Sequence, residues 1–125
     1  MEGKRLLIVD DEVDIVDLLR DVLTNEGYVV DAAPSAEDAL ALIHEHIYDA
    51  AILDFNLPDM DGVMLHRQIR QKDPDLANRS IFMSGLVQSD TNLGYYAAEG
   101  AGFLSKPFDI EDVLAAVRNL IDSAE

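Results

Sequence analysis

The chain has 125 residues, 49% of them apolar, and is therefore large enough to bury a core of its own. It contains no cysteine, which excludes disulfides, thiol catalysis and cysteine-ligated metals. Nine basic and 25 acidic residues give a formal net charge of −16, and such a charge repels nucleic acids and anionic membranes.

Short apolar runs alternate along the chain with stretches in which apolar residues follow helical spacing. Apolar runs without polar alternation are typical of strands that are covered on both faces. The predicted strands are Leu6–Val9, Tyr28–Val30, Ala50–Leu53, Ser80–Met83 and Ala101–Leu104. A predicted helix follows each strand. The first runs from Ile15 to Leu23 with a cap at Gly27, the second follows an N-cap at Ser35, and the third follows the loop 58–62. The fourth, weaker in helix propensity, covers Asp90–Glu99, and the last is capped by Asp109.

Five strands alternating with five helices predict an α/β domain whose parallel sheet is covered by helices on both faces. No linker, repeat or low-complexity tract interrupts the pattern, so we expect residues 1–125 to form a single domain. The apolar runs are far too short to span a bilayer, and the first five residues lead straight into a strand rather than into a signal peptide. We therefore expect a cytoplasmic protein.

Polar side chains that could react or bind a metal ion stand where the predicted strands end. They are Asp10, Asp11 and Glu12 after the first strand, Asp54 after the third, Ser84 after the fourth, and Ser105 and Lys106 after the fifth. Ligands of doubly wound sheets bind beyond the carboxyl ends of the strands. We therefore expect these carboxylates, a hydroxyl and an ammonium group to converge on one edge.

This set of groups suits phosphoryl transfer. Carboxylates about 4 Å apart repel each other by about 4 kcal/mol at an effective dielectric of about 20, and a hard divalent cation such as Mg²⁺ relieves that repulsion. A carboxylate that faces the cation can act as the nucleophile, while the cation and a lysine neutralise charge on the transferred group. No general base is required, because a carboxylate is already ionised at neutral pH.

With these residues in view, the chain resembles the receiver domain of two-component response regulators over nearly all of its length. The motifs that carry the resemblance are Ile8-Val9-Asp10-Asp11-Glu12, Leu53-Asp54-Phe55-Asn56-Leu57-Pro58, Asp61-Gly62, Met83-Ser84-Gly85 and Lys106-Pro107-Phe108. Each motif alone is weak, but the complete set in this order is specific. The resemblance implies a doubly wound, five-stranded parallel sheet of the flavodoxin-like (βα)5 type, with strand order 2-1-3-4-5.

The resemblance also implies which residues hold a metal and accept the phosphoryl group. Asp54 matches the phosphoacceptor of the family. Asp10 and Asp11 match the acid pair that binds Mg²⁺ together with Asp54, and Asn56 would contribute its backbone carbonyl. The implied cofactor is Mg²⁺, for which Mn²⁺ could substitute.

Three further positions match residues that respond to the phosphoryl group. Ser84 matches a hydroxyl that shifts toward it, and Lys106 matches the lysine of the family site. Phe103 stands where tyrosine is common, and it could still switch between exposed and buried rotamers. Gly102 and Phe103 replace an acid and a tyrosine often found on the last-helix face, so we expect a monomer or weak dimer.

The function implied by the resemblance is that of a signalling switch. A sensor histidine kinase or a histidine phosphotransfer protein would donate a phosphoryl group to Asp54, and the added charge would shift a conformational equilibrium. Such a domain is not an enzyme in the usual sense, because it catalyses only its own phosphorylation and dephosphorylation. The downstream output partner is unknown, and no direct binding to nucleic acid or membrane is expected.

Other interpretations of the same residues remain open at this stage. The main alternative is an unphosphorylated pseudo-receiver that acts as a protein-interaction module. A haloacid dehalogenase-type hydrolase would need an acid where Asn56 stands, and a flavodoxin-like cofactor carrier would need a Ser/Thr/Gly-rich loop where Asp10 to Glu12 stand. Asp11 could cap the first helix, Glu12 could be a solvated first-turn acid, and we expect all three histidines, His44, His46 and His66, on the surface.

Overall fold

The apolar runs form one parallel sheet in the computed structural model, which describes residues 3–54, 57–84, 102–105 and 108–123. The strands are β1 (Arg5–Val9), β2 (Val29–Ala33), β3 (Ala50–Asp54), β4 (Ser80–Ser84) and β5 (Gly102–Ser105), in the order β2-β1-β3-β4-β5. The helices are α1 (Val13–Asn25), α2 (Ala36–Glu45), α3 (Gly62–Lys72), α4 (Pro74–Asn78) and α5 (Ile110–Ser123). The predicted fold class and strand order are confirmed, whereas the predicted helix Asp90–Glu99 lies outside the described residues.

The central strand β1 shows why its apolar run is uninterrupted. Successive side chains of a strand point to opposite faces of the sheet. Leu7 and Val9 accordingly join a core cluster built with α2, α3 and α4, whereas Leu6 and Ile8 join a second cluster built with α1 and α5. Both faces are buried from Leu6 to Val9, so polar side chains are disfavoured at these four positions.

The first helix ends at a glycine, as the sequence predicts. Gly27 adopts a φ of +100°, a left-handed conformation that a residue with a Cβ rarely adopts. Its N–H donates to the carbonyl of Thr24 (3.0 Å), and the N–H of Tyr28 donates to that of Leu23 (3.2 Å), which is the Schellman pattern of a helix end. The turn therefore feeds the chain from α1 into β2. No helix in the described part of the chain is long and apolar enough to cross a membrane.

A short helix and a buried histidine differ from the sequence-based expectation. Asp73 caps α4, accepting from the N–H of Leu76 at 3.1 Å, and Pro74 occupies the first turn. His66 is completely buried, and its Nε2–H donates to the carbonyl of Ala77 at 2.8 Å. The prediction that His66 lies on the surface is therefore wrong, whereas those for the two other histidines are confirmed.

The reason for the error lies in the periodicity of α3. Gly62, Leu65 and Ile69 form its buried stripe, and position 66 falls within that stripe at helical spacing. The ring packs edge-to-face on Phe82 of β4, with centroids 5.2 Å apart. His66 thus fills a core position and ties α3 to α4.

A polar network stabilises the side of the sheet near the start of β1 and β3. The guanidinium of Arg5 and the hydroxyl of Tyr48 both donate to Oδ2 of Asp31, at 2.8 and 2.7 Å. Burial opposes ionisation of Asp31, but these two hydrogen bonds outweigh it and hold the pKa of Asp31 below its usual value. Burial and the neighbouring carboxylate raise the pKa of Tyr48, which therefore remains a donor.

The first prediction concerns this network. Tyr48→Phe removes a hydrogen bond to a charged group, so we expect a loss of about 1.5–3 kcal/mol in the free energy of unfolding at pH 7. Because the folded-state pKa of Asp31 is lowered, this contribution is complete above the unfolded pKa of about 3.9 and is lost as pH falls through the folded value. Urea unfolding at neutral and acidic pH measures both effects.

Tyr28→Phe is the matched control, because it removes a hydroxyl from the other core layer and leaves Asp31 untouched. A Tyr48→Phe deficit that stays constant down to pH 2 would contradict the assignment of the effect to the Asp31 carboxylate.

Candidate functional site

The register of the sheet brings two aspartates to adjacent strand ends. Val9 of β1 lies opposite Leu53 of β3, so Asp10 and Asp54 follow side by side at the carboxyl edge. The N–H of Asp10 donates to the carbonyl of Ala33 at 3.1 Å, which extends the pairing of β1 with β2 by one residue. Asp10 is only 2% exposed and Asp54 only 4%, although both are carboxylic acids. Acids so deeply buried are uncommon in proteins unless they bind a partner or an ion.

A third acid joins them. Carboxylate oxygens of Asp10, Glu12 and Asp54 lie within 4.8 Å of one another. At such separations two ionised carboxylates repel each other by roughly 3 to 4 kcal/mol at an effective dielectric of about 20. We call these three residues the acid cluster. Its donors are all hard oxygens, and this set suits Mg²⁺ better than a softer metal.

Glu12, rather than Asp11, completes the acid cluster in this structure. Glu12 is the N-cap residue of α1 with an extended backbone (φ −87°, ψ 104°), and its N–H donates to Oδ1 of Asp10 at 2.9 Å. Asp11 is exposed and, with Asp10, lines a small cavity of about 120 Å³ whose other walls are apolar. The sequence could have indicated the position of Glu12, because an extended chain turns the side chains of residues two positions apart, here Asp10 and Glu12, to the same side.

The remaining predicted site residues are only partly within the described structure. Asn56 and Lys106 lie outside the described residues, and for Ser84 and Phe103 the backbone alone is described. The strands that carry Ser84 and Phe103, β4 and β5, occupy the expected places in the sheet.

The strand pairing fixes where these backbones lie. Asp54 pairs with Met83, the residue before Ser84, and Ser84 pairs with Ser105, the residue before Lys106. The register therefore agrees with a site that spans the carboxyl ends of β1, β3, β4 and β5.

An open groove lies between α1 and the start of α5. It has a volume of about 480 Å³ and is lined by Leu18, Phe108, Asp109, Ile110, Glu111 and Asp112. Two of these apolar side chains are unusually exposed, Leu18 at 43% and Ile110 at 41%. We call this feature the α1–α5 groove; its lining combines three apolar side chains with three acids.

The fold and the acid cluster together define the class of protein. The chain matches the family of response regulator receiver domains over residues 6–118 and belongs to that family. It is 34% identical to the response regulator ArlR of Staphylococcus aureus over 117 residues, which cover 94% of this chain and 52% of ArlR. The chain thus spans about half the length of the curated relatives it matches.

Solved structures agree with this assignment. A CheY-like receiver domain protein from Methanospirillum hungatei has a TM-score of 0.89 and 32% identity, covering 96% of this chain and 94% of that one. The response regulator TrrA of Thermotoga maritima, solved in complex with Mg²⁺ and beryllium fluoride, has a TM-score of 0.82 and 31% identity over 94% of this chain and 98% of its own. The beryllofluoride-activated NtrC4 receiver domain dimer has a TM-score of 0.88 and 33% identity, covering 97% and 98%.

The second prediction tests the repulsion within the acid cluster. Asp10→Asn removes one charge and keeps the Oδ1 acceptor for the N–H of Glu12. We expect the variant to melt several degrees above wild type in the presence of chelator, because relief of about 1 kcal/mol shifts the melting temperature of a domain of this size by roughly 3–6 °C. Added Mg²⁺ should stabilise wild type but hardly stabilise the variant.

Asp14→Asn is the matched control, since it neutralises an exposed acid in the first turn of the same helix. It removes a favourable interaction with the helix dipole and should not raise the melting temperature. If Asp10→Asn melted at or below wild type while remaining folded, the three carboxylates would not repel one another as their separation implies.

Proposed function

We propose that this receiver domain accepts a phosphoryl group on Asp54 in a Mg²⁺-dependent reaction and changes conformation in response. The observation that carries the proposal is the acid cluster, which lies at the carboxyl ends of two central strands with Asp54 almost completely buried. A likeness to TrrA, solved with Mg²⁺ and beryllium fluoride, supports it, because beryllium fluoride on a carboxylate imitates a phosphoryl group.

Asp54 is the proposed nucleophile. Its carboxylate oxygen attacks phosphorus, a new P–O bond forms, and the P–N bond to a donor histidine breaks as the imidazole leaves. The strand holds this carboxylate at a fixed position, so little orientational freedom is lost in the reaction. An ionised carboxylate attacks without a general base.

Asp10, Asp11, Asp54 and the backbone carbonyl of Asn56 would hold Mg²⁺, or Mn²⁺ in its place. When bound, the cation neutralises charge on the carboxylates and on the phosphoryl oxygens. Asp10 is oriented for this role by its bond to the N–H of Glu12. We assign the third carboxylate to Asp11 on the basis of the family motif, and assign Glu12 the role of a neighbouring charge already favoured by the amino end of α1.

The proposed response uses residues at the ends of β4 and β5. Lys106 and the hydroxyl of Ser84 would bind phosphoryl oxygens, and movement of Ser84 would be passed to Phe103. The backbone of Phe103 pairs in the sheet with that of Phe82, a fully buried residue, so the proposed response would involve a strand next to the core. Under this proposal the domain catalyses only its own phosphorylation and dephosphorylation and is a switch rather than an enzyme.

The proposed donor is a sensor histidine kinase or a histidine phosphotransfer protein, and the α1–α5 groove is its proposed docking surface. The groove lies on the first helix, which begins directly after the acid cluster. Exposed Leu18 and Ile110 can bury apolar area of a partner helix. The acids of the groove lining favour basic residues on that partner. Neither nucleic acid nor an anionic membrane suits this charge.

The third prediction tests the chemistry directly. Incubation with a small acyl phosphate and Mg²⁺ should add one phosphoryl group, read as a single mass increment on the intact chain. The adduct should be absent with chelator and absent from Asp54→Asn, which keeps the shape of the side chain but is a far weaker nucleophile. A wild-type chain that remains folded and never gains the adduct would instead favour the pseudo-receiver.

The fourth prediction separates Asp11 from Glu12. Asp11→Asn and Glu12→Gln each remove one charge from the same strand end, so their general electrostatic effects are matched. We expect Asp11→Asn to weaken Mg²⁺ binding, measured by calorimetry, by roughly 10- to 100-fold, and Glu12→Gln by only a few fold. The reverse order would assign the third ligand to Glu12, as the acid cluster alone suggests.

The fifth prediction concerns docking. Leu18→Lys should slow phosphorylation by a protein donor by about tenfold or more, because it places a charge among the apolar side chains that line the groove. Phosphorylation by a small acyl phosphate should remain as fast as in wild type. Ile47→Lys is the control: it changes the most exposed large apolar residue described, at 84%, and lies between α2 and β3. Equal slowing by both variants would contradict docking at the groove.

A further inference from the structure

Of the three acids in the acid cluster, Glu12 is the one that faces solvent. Asp10 and Asp54 are 2% and 4% exposed, whereas Glu12 belongs to the exposed surface. Carboxylate oxygens of all three nevertheless lie within 4.8 Å of one another. Glu12 therefore places a negative charge on the solvent side of two buried carboxylates. A molecule that reaches Asp54 from solvent comes close to that charge.

The backbone of Glu12 is fixed on both sides, which limits where its side chain can lie. Its N–H donates to Oδ1 of Asp10 at 2.9 Å, and its carbonyl accepts from the N–H of Val16 at 3.1 Å, the first hydrogen bond of α1. Glu12 is the N-cap residue of that helix, and the partial positive charge of a helix amino end stabilises a carboxylate there. The fold thus holds this charge beside the buried pair.

Glu12 differs from the other acids of the proposed site in its relation to the cation. Under the proposed function, Asp10, Asp11 and Asp54 hold Mg²⁺, and the cation offsets their charge. Glu12 is not assigned as a ligand, so its charge would remain when the cation is bound. An incoming phosphoryl donor would therefore meet one negative charge that the cation does not coordinate.

Phosphoryl donors differ in the charge that they bring to such a site. Acetyl phosphate is a dianion at neutral pH: as the oxygen of Asp54 forms its bond to phosphorus, the P–O bond breaks and acetate leaves with the bonding electrons. Phosphoramidate is protonated on nitrogen and carries one negative charge fewer; its P–N bond breaks, and neutral ammonia leaves with the bonding electrons. Phosphohistidine resembles phosphoramidate, because a protonated imidazole leaves as a neutral ring. A nearby negative charge opposes the acyl phosphate more strongly.

We propose that Glu12 is a specificity-determining residue, whose charge beside Asp54 selects donors that carry the phosphoryl group on nitrogen over acyl phosphates. This inference rests on the proposed function. Glu12 acts through its electric field and forms no bond to the transferred group. A small acyl phosphate is held back by this charge, whereas a protein donor with a phosphorylated histidine is held back less.

The experiment measures the rate constants for phosphorylation of the full chain by acetyl phosphate and by phosphoramidate. Each variant is measured at its own saturating Mg²⁺ concentration, which removes any effect of Glu12 on cation affinity. Glu12→Gln removes the charge and keeps the shape of the side chain, and Glu12→Lys reverses the charge. Asp14→Asn is the matched control, because it neutralises another exposed acid at the start of α1, outside the acid cluster.

For Glu12→Gln we expect the rate with acetyl phosphate to rise by roughly three- to sixfold relative to the rate with phosphoramidate. This is the factor for two unit charges about 4–7 Å apart in a water-like dielectric. Glu12→Lys should move the ratio further in the same direction, and Asp14→Asn should leave it close to that of wild type. A purely structural effect, such as a shift of α1, would slow both donors alike and leave the ratio unchanged.

Two other outcomes would overturn the inference, and they differ in what else they remove. If both donors phosphorylate wild type and Glu12→Gln leaves the ratio unchanged, or Asp14→Asn changes it equally, Glu12 does not select the donor and the proposed function stands. If neither donor phosphorylates folded wild type, the proposed function fails, and the selective role fails with it.

Discussion

The structure depends on the pairing of β1 with β3, which forces acidic side chains together at one edge of the sheet. Val9 and Leu53 are opposite each other, both are fully buried, and the next residue in each strand is an aspartate. Strands in a parallel sheet lie about 4.8 Å apart, so the backbones of the two aspartates cannot separate unless the pairing breaks. The apolar clusters on both faces prevent that, because every residue of both strands would have to move within a packed core. The repulsion is therefore built into the fold rather than relieved by relaxation.

This constraint bears on the proposed function, because under it a switch would need only a few residues. A cluster that holds its charges at fixed separations responds strongly to any change in charge, whether a cation enters or a phosphoryl group is added. The surrounding backbone determines how that response is used. Asp59 accepts a hydrogen bond from the amino end of α2 and Asp61 caps α3, so this part of the chain is attached to two helices.

The sequence predicts most of the fold because the apolar pattern is unambiguous where strands are buried on both faces. It also predicts Asp10 and Asp54, since residues that follow such strands must meet at the sheet edge. Besides the short helix α4, three features were not predicted, for distinct reasons. Glu12 was weighed as a helix residue although its backbone is extended, His66 was judged by its polarity instead of its place in the α3 stripe, and the contact of Asp59 with α2 depends on tertiary packing that no local pattern records. The roles of Ser84, Lys106, Asn56 and Phe103 remain predictions from the family motifs.

The effect of each acidic residue depends on where it lies in the fold. Exposed acids such as Asp14 and Asp17 on α1 are screened by salt within about 10 Å, so they affect solubility and the approach of partners more than local chemistry. Asp31 differs from both, because Arg5 pairs with its charge and the hydroxyl of Tyr48 donates a hydrogen bond to it. This network stabilises the fold. In the acid cluster, three carboxylates share one small volume, and that placement makes them responsive to cations. Under the proposed function, the exposed acids on α1 would favour a basic partner surface at close range, and the cluster would take part only once the donor has docked. Under that proposal, recognition and chemistry would use the same sign of charge at different depths, so the docking surface could vary without altering the site.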